Sequence, residues 1–151
     1  MSIPRMRPPD HAIEIVGEVP FHDCDPLQIV WHGHYFKYFE VARTALFVRH
    51  HIDGEDMYEL GFRFVVSHTE CRHVSPLTYR DQYSVKAWFL SDATHRVDVG
   101  YEVWNLTEQR RAARARTEMV TTAPDGVMLL VTPDIVQTRI RAALAPSKRV
   151  R

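Results

Sequence analysis

Residues 34–51 read HYFKYFEVARTALFVRHH, and this stretch decides the fold. Its apolar side chains recur at helical steps of four, three and four along one face: Tyr35, Phe39, Ala42 and Leu46. A second set of apolar residues widens that face: Phe36, Val41, Ala45, Phe47 and Val48. A helix that is apolar on most sides is usually enclosed by other elements, so the stretch predicts one long, buried helix wrapped by a sheet.

Strand-like segments lie on both sides of this helix in the chain. They cover residues 13–21, 62–74, 82–90, 96–105, 111–122 and 127–131. The turn sequence APDG at 123–126 joins the last two segments, and Pro133 permits a short helix over 134–145. We therefore predict an α+β fold in which an antiparallel sheet of about five strands surrounds one long central helix.

This order of elements also has two consequences for packing. A doubly wound nucleotide-binding fold is excluded, because it would need helices between most of its strands. One helix cannot cover a wide sheet, so we expect a partner subunit to complete the burial.

Composition and charge narrow the class of protein. The chain has 151 residues, 45% of them hydrophobic, and 19 Lys and Arg balance 19 Asp and Glu. This balance gives no overall field that would attract nucleic acid or a membrane surface. Two cysteines and an N-terminus without an apolar stretch indicate a cytoplasmic protein. We expect a flexible arm at 1–11, a single domain at 12–145 and a basic tail at 146–151.

The segment before the helix carries the chemistry: residues 21–35 read FHDCDPLQIVWHGHY. Pro26 holds Asp25 in an extended conformation, which places this carboxylate in a tight loop before the helix. Free backbone N–H groups are expected at His32, Gly33 and His34, at the positive end of the helix dipole. A carboxylate beside such donors suits acyl transfer, although Asp25 taken alone also fits a simple loop or capping role.

The same segment resembles hotdog-fold thioesterases of the 4-hydroxybenzoyl-CoA thioesterase and YbgC type. The family pattern is matched at Phe21, Asp23, Asp25, Ile29, Val30, Trp31 and Tyr35, and then at Glu40, Ala42 and Arg43 on the helix. A further stretch, residues 75–81, resembles the bend between two strands of that family. The predicted order of elements fits a hotdog fold over about residues 12–144.

The resemblance implies hydrolysis of an acyl thioester of coenzyme A or acyl carrier protein, without a metal or a diffusible cofactor. Asp25 would act as nucleophile or general base, and the backbone N–H of His32 would polarise the thioester carbonyl. Residues expected to contact substrate are Gln28, Trp31, Gly33, Tyr35 and Arg96. In this family the site lies between subunits, so a homodimer or homotetramer is expected, with no nucleic-acid or membrane partner.

Two positions depart from the family pattern. Gln28 replaces the usual glycine, which is unfavourable if the backbone needs a positive φ; otherwise its amide would line the site. His34 stands where the family often has asparagine, a better helix cap. These departures keep a second interpretation open, in which the protein binds acyl thioesters without turnover. A hotdog dehydratase using His32 and Glu40 is a third.

Several side chains have alternative roles. The imidazole of His32 could orient Asp25 or protonate the leaving thiolate. Glu40 could be the catalytic carboxylate, although an ion pair with Lys37 or Arg43 is favoured. Arg96 could bind a phosphate of CoA or lie solvated at a strand end. The histidines and Cys71 have the residue types of metal ligands, but their spacing lacks a paired zinc motif, so we predict no metal site.

Overall fold

A computed structural model of the protein describes residue 3 and residues 7–146. The strands of this part are β1 (Ile13–Glu18), β2 (Arg63–His73), β3 (Gln82–Phe89), β4 (Val97–Asn105), β5 (Arg110–Thr122) and β6 (Met128–Leu129). Its helices are α1 (Tyr35–Arg49), α2 (Gly54–Leu60) and α3 (Asp134–Leu144), and 3-10 turns span Phe21–Asp23 and His32–His34. None of these helices is long and apolar enough to cross a membrane. Residues 1, 2 and 4–6 of the predicted arm and residues 147–151 of the predicted basic tail lie outside the described residues.

The six strands form one antiparallel sheet in the order β1–β3–β4–β5–β2, with β6 paired to β5. β1 and β2 are the two ends of this path, so within the described part of the chain each has a neighbouring strand on one side only. α1 follows β1 in the chain and packs against β1 and β3. The predicted α+β arrangement of one long helix packed on an antiparallel sheet is therefore confirmed.

The face of α1 that the periodicity predicted is the face that packs on the sheet. Its residues are all buried: Tyr35, Phe39, Ala42 and Leu46. The Phe39 ring stacks on the Tyr101 ring of β4, with 4.8 Å between the centroids. Phe47 stacks on Phe89 of β3 in the same way, at 6.0 Å. Because aromatic pairs of this kind add about 0.5–1.5 kcal/mol beyond burial, they fix the helix firmly on the sheet.

Not all of the remaining apolar side chains of α1 are buried. Phe36, Val41 and Val48 stay exposed to solvent. The helix is apolar on most sides, as its sequence indicates, but one chain covers only the sheet-facing half. That a partner subunit covers the rest stays a prediction.

Helix α2 lies in a segment to which the sequence analysis assigns no element. It is seven residues long, and only Met57 is anchored in the core, so its sequence has no repeating apolar face. Its start is marked by the Asp56 side chain, which accepts a hydrogen bond from the Asp53 N–H at 3.1 Å. Its end is marked by Gly61 at φ +80°. In the sequence only these capping residues identify the helix, because an apolar repeat can be recognised only in a longer helix.

Replacing Phe39 by alanine should lower the free energy of unfolding by about 3–5 kcal/mol, because the change leaves a cavity in a closed core. Urea denaturation of the purified variant measures this loss. Phe36→Ala on the same helix is the matched control, since Phe36 is 50% exposed and Phe39 only 1%. A similar loss in both variants would contradict this assignment of the buried face.

Candidate active site

Asp23 is a buried carboxylate that joins the loop to the long helix. Its side chain is 2% exposed and accepts hydrogen bonds from Lys37 Nζ at 2.7 Å and from the Tyr38 hydroxyl at 2.6 Å. Burial alone would raise the pKa of Asp23, but the bonds from Lys37 and Tyr38 outweigh it, so the pKa lies below the usual aspartate range. The Asp23 carbonyl also accepts the Trp31 N–H at 2.9 Å, which closes the loop.

Asp25 lies at the start of the tight turn that follows. Its Oδ1 accepts the Leu27 N–H at 2.8 Å, and its carbonyl accepts the Gln28 N–H at 2.8 Å. Its own N–H donates to the Ile29 carbonyl at 2.9 Å. Oδ2 has no hydrogen-bond partner among residues 3 and 7–146. The turn therefore fixes the carboxylate through one oxygen and leaves the other for chemistry.

Gln28 adopts φ +64°, the left-handed conformation that favours glycine. This answers the question that the sequence left open, because the backbone at this position does need a positive φ. The Gln28 side chain is exposed rather than packed. The turn is therefore made at some cost in backbone strain.

The helix start differs in one respect from its prediction. α1 begins at Tyr35 and is preceded by the 3-10 turn, in which the His34 N–H donates to the Trp31 carbonyl at 2.9 Å. The expected free N–H at His34 is therefore wrong, because the tighter turn uses it. The N–H groups of His32 and Gly33 donate to no backbone oxygen of the described chain. These two N–H groups are therefore candidate donors to an oxyanion.

The side chain of Trp31 fills the space beside Gly33. The six-membered ring of Trp31 lies against its Cα, and a Cβ at this position would collide with that ring. The Trp31 ring also contacts His32 and His34, with centroid distances of 5.1 and 5.3 Å. Trp31 and Gly33 thus shape the helix start together.

Two cavities meet at Asp25. The first has a volume of about 400 Å³, and its lining includes Asp25, Val30, His32, Tyr35, His73 and Pro76. The second has about 650 Å³, and its lining includes Phe21, Asp25, Pro26, Gln28, Thr78 and Tyr79. Leu27 and Ile29 line both, as Asp25 does. The carboxylate thus lies at the boundary between the two spaces.

The structure brings most of the predicted site residues to this place. Asp25, His32 and Tyr35 line the first cavity, and Gln28 lines the second. Burial raises the pKa of Tyr35 to about 12, so its hydroxyl keeps its proton. Arg96 lies apart: its side chain is 54% exposed and pairs with Glu118 Oε2 at 2.9 Å, and it lines neither cavity.

The ion pairs predicted for Glu40 are wrong. Lys37 binds Asp23 instead, and Arg43 donates to the Tyr101 hydroxyl at 3.2 Å. A buried carboxylate holds a lysine more strongly than the exposed Glu40 does, because water screens an exposed pair. Glu40 also lines neither cavity at Asp25.

His73 is the cavity residue that sequence reasoning missed. The sequence alone presents it as one of several histidines with the residue type of a metal ligand, and in the structure its Nε2 lies 3.7 Å from Cys71 Sγ. The pairing of β2 with β5 carries His73 to the helix start, and a single sequence gives no signal for such a pairing. Within the described ranges, no group of three or more His, Cys, Asp or Glu side chains is arranged to hold a metal ion.

Comparison with known proteins identifies the family. The model of the thioesterase-like superfamily matches residues 19–126, which include the loop of Asp25, α1 and strands β2 to β5. The chain belongs to this superfamily. The resemblance to hotdog thioesterases is thereby confirmed.

Relatives of this thioesterase-like chain agree with that assignment. A curated protein of Aquifex aeolicus, named as a candidate esterase, is 33% identical over 67 residues, which are 44% of this chain and 52% of that protein. The match thus spans about half the length of that relative.

Solved structures show the same hotdog fold. A 1,4-dihydroxy-2-naphthoyl-CoA thioesterase of Synechocystis superposes with a TM-score of 0.77 at 20% identity, over 89% of this chain and 99% of the other. A Staphylococcus aureus protein solved in complex with CoA gives a TM-score of 0.79 at 12% identity, over 93% and 87%.

Asp23→Asn should lower the free energy of unfolding at pH 7 by about 1.5–3 kcal/mol, because it removes hydrogen bonds to a buried charge. The folded pKa of Asp23 is depressed, so its contribution is present above about pH 4 and disappears as the pH falls through the folded pKa. The difference between wild type and variant should therefore shrink in acid. Urea denaturation at several pH values measures it, with the exposed Asp10→Asn as control. A difference that does not change with pH would contradict this role.

Gln28→Gly should raise the free energy of unfolding by about 0.5–1 kcal/mol. It removes left-handed strain of about 1–2 kcal/mol, and part of that gain is lost to the greater freedom of glycine in the unfolded chain. Thermal and urea unfolding measure the gain. Gln28→Ala is the control: it keeps the Cβ at φ +64° and should give no such increase. An equal increase in both variants would show that the side chain, not the backbone, causes the strain.

Proposed function

We propose that this protein hydrolyses acyl thioesters of coenzyme A or acyl carrier protein to a free acid and a thiol. The observation that carries the proposal is that Asp25 and His32 line one cavity at the start of α1. The carboxylate has a free oxygen there, and the His32 and Gly33 N–H groups have no backbone acceptor in the described part. Membership of the thioesterase-like superfamily supports this chemistry.

The His32 N–H and the Asp25 carboxylate have different roles in acyl transfer. The thioester carbonyl accepts a hydrogen bond from the His32 N–H, and the helix dipole strengthens it as negative charge develops on the oxygen. One such donor is typically worth about 10²–10³ in rate. Asp25 then either bonds to the acyl carbon or takes a proton from the water that does so. The thiolate leaves readily, so no metal is required.

The proposed substrate contacts follow from the two cavities. We assign Tyr35 to the wall of the acyl pocket, and Gln28 to the side of the thiol arm. Trp31 and Gly33 shape the helix start that receives the carbonyl. Arg96 is more than half exposed, so its guanidinium is available to a phosphate of CoA while it keeps Glu118. The similar fold of a protein solved with CoA supports a CoA thioester as substrate.

We further propose that the protein acts as a homodimer or homotetramer in the cytoplasm. Exposed apolar side chains on α1 and on the edge strand β2 support an assembly: Phe36, Val41, Val48, Val65 and Val66. The zero net charge supports a partner other than nucleic acid or a membrane surface.

Asp25→Asn should reduce turnover about 10²-fold or more, since the amide can neither attack nor accept a proton well. Thiol release is followed with a colorimetric reagent over aryl, short-chain and long-chain acyl-CoAs. Asp125→Asn is the matched control, because Asp125 Oδ1 accepts the Val127 N–H at 3.0 Å in a turn like that of Asp25. It should keep the wild-type rate.

Other outcomes point to specific alternatives. Equal rates in wild type and Asp25→Asn would contradict the role of Asp25, and loss in Glu40→Gln would then assign catalysis to the helix. Enoyl product from a β-hydroxyacyl thioester would indicate a dehydratase. Binding of acyl-CoA or acyl carrier protein without turnover would indicate the non-catalytic interpretation.

A further inference from the structure

His73 lies in the cavity of Asp25 and His32, and the proposed function leaves it without a role. It is the last residue of β2. Its ring stands edge-on to the Tyr35 ring, with 4.7 Å between the centroids, and its Nε2 is 3.7 Å from Cys71 Sγ. Contacts with Tyr35 of α1 and with Cys71 of the same strand therefore position the imidazole where a substrate would react.

The groups that face His73 come from several parts of the chain. Tyr35 comes from α1, Cys71 from β2, His32 from the 3-10 turn and Asp25 from the loop, while β5 presents alanines at this position. Loss of solvent lowers the pKa of His73, and His32 lowers it further. Burial raises the pKa of Cys71 to about 11, so this thiol, like the Tyr35 hydroxyl, keeps its proton. The ring is thus a proton acceptor at pH 7.

A carboxylate and a neutral imidazole in one cavity suit different steps. An aspartate carboxylate is a weak base at neutral pH, but it is a competent nucleophile. Imidazole titrates close to neutral pH, where a general base is most effective. His32 contributes its backbone N–H to the carbonyl, so His73 is the imidazole with no other part in the reaction.

We propose that Asp25 attacks the acyl carbon and that His73 activates the water that releases the acid, an inference that rests on the proposed thioesterase function. An Asp25 oxygen bonds to the acyl carbon and the C–S bond breaks, which leaves a mixed anhydride and a thiolate. Water then bonds to the acyl carbon while His73 takes its proton. The anhydride C–O bond breaks, the Asp25 carboxylate is restored, and the proton returns through solvent to the thiolate.

Rapid mixing with an acyl-CoA that the wild type turns over tests this assignment. His73→Gln should keep a first burst of about one thiol per site, since acylation does not need the imidazole. Its steady-state rate should then fall about 100-fold, the scale of general-base catalysis. The acid limb of the kcat–pH profile should disappear. Added imidazole should partly restore the rate of His73→Gly.

Three controls complete the experiment. His68→Gln on the same strand, outside the cavity, should keep the wild-type rate. His32→Gln removes the other imidazole; a burst followed by slow turnover in this variant instead would overturn the assignment to His73. Circular dichroism and thermal unfolding of His73→Gln and His73→Asn establish that the variants fold.

The remaining outcomes separate this inference from the function on which it rests. A wild type that releases thiol from no acyl thioester contradicts the proposed function and this inference with it. Wild-type turnover with an unchanged His73→Gln overturns the role of His73 alone. Equal loss of burst and steady-state rate in folded variants also overturns it, because the ring would then act in binding.

Discussion

The buried carboxylate of Asp23 is the constraint on which the rest of the site depends. It takes hydrogen bonds from Lys37 and Tyr38 of α1, and its carbonyl takes the Trp31 N–H. The Tyr38 ring in turn stacks on Tyr83 of β3 at 4.7 Å, so loop, helix and sheet meet at one residue. A buried charge must be paired, and its partners therefore leave the loop little freedom. Two residues further on, the same geometry delivers Asp25 to the helix start with one oxygen free.

The main elements could be predicted because their signals are local. Apolar residues recur about every 3.6 residues in the long helix and every two residues in the strands. The buried face of α1 follows from the helical repeat. α2 is too short to show a repeat of apolar residues, so only its capping residues identify it. The partners of Asp23 and the place of His73 depend on contacts between distant parts of the chain. Lys37 could not be assigned between Asp23 and Glu40 from spacing alone, because burial decided the choice.

The turn at Gln28 shows how far the site determines the backbone around it. Three residues must reverse the chain between Asp25 and Ile29, and the third of them, Gln28, adopts φ +64° despite its side chain. Non-glycine residues in this conformation persist only where surrounding contacts over-determine it. Here the N–H of Gln28 and the N–H of Leu27 are both held by Asp25, on its carbonyl and its carboxylate. The strain therefore accompanies the positioning of the candidate nucleophile.

The chemistry and the packing both support the proposed assembly with a second subunit. Hydrogen bonds to a developing oxyanion are strongest where water is excluded, because the local dielectric is then low. In one chain, Asp25 is only half buried, and Leu27 and Phe21, which line its cavities, are exposed. The free face of α1 is apolar as well, at Phe36 and Val41. A partner surface that covered both would exclude water from the reacting carbonyl and bury the helix together, so the proposed assembly accounts for both features.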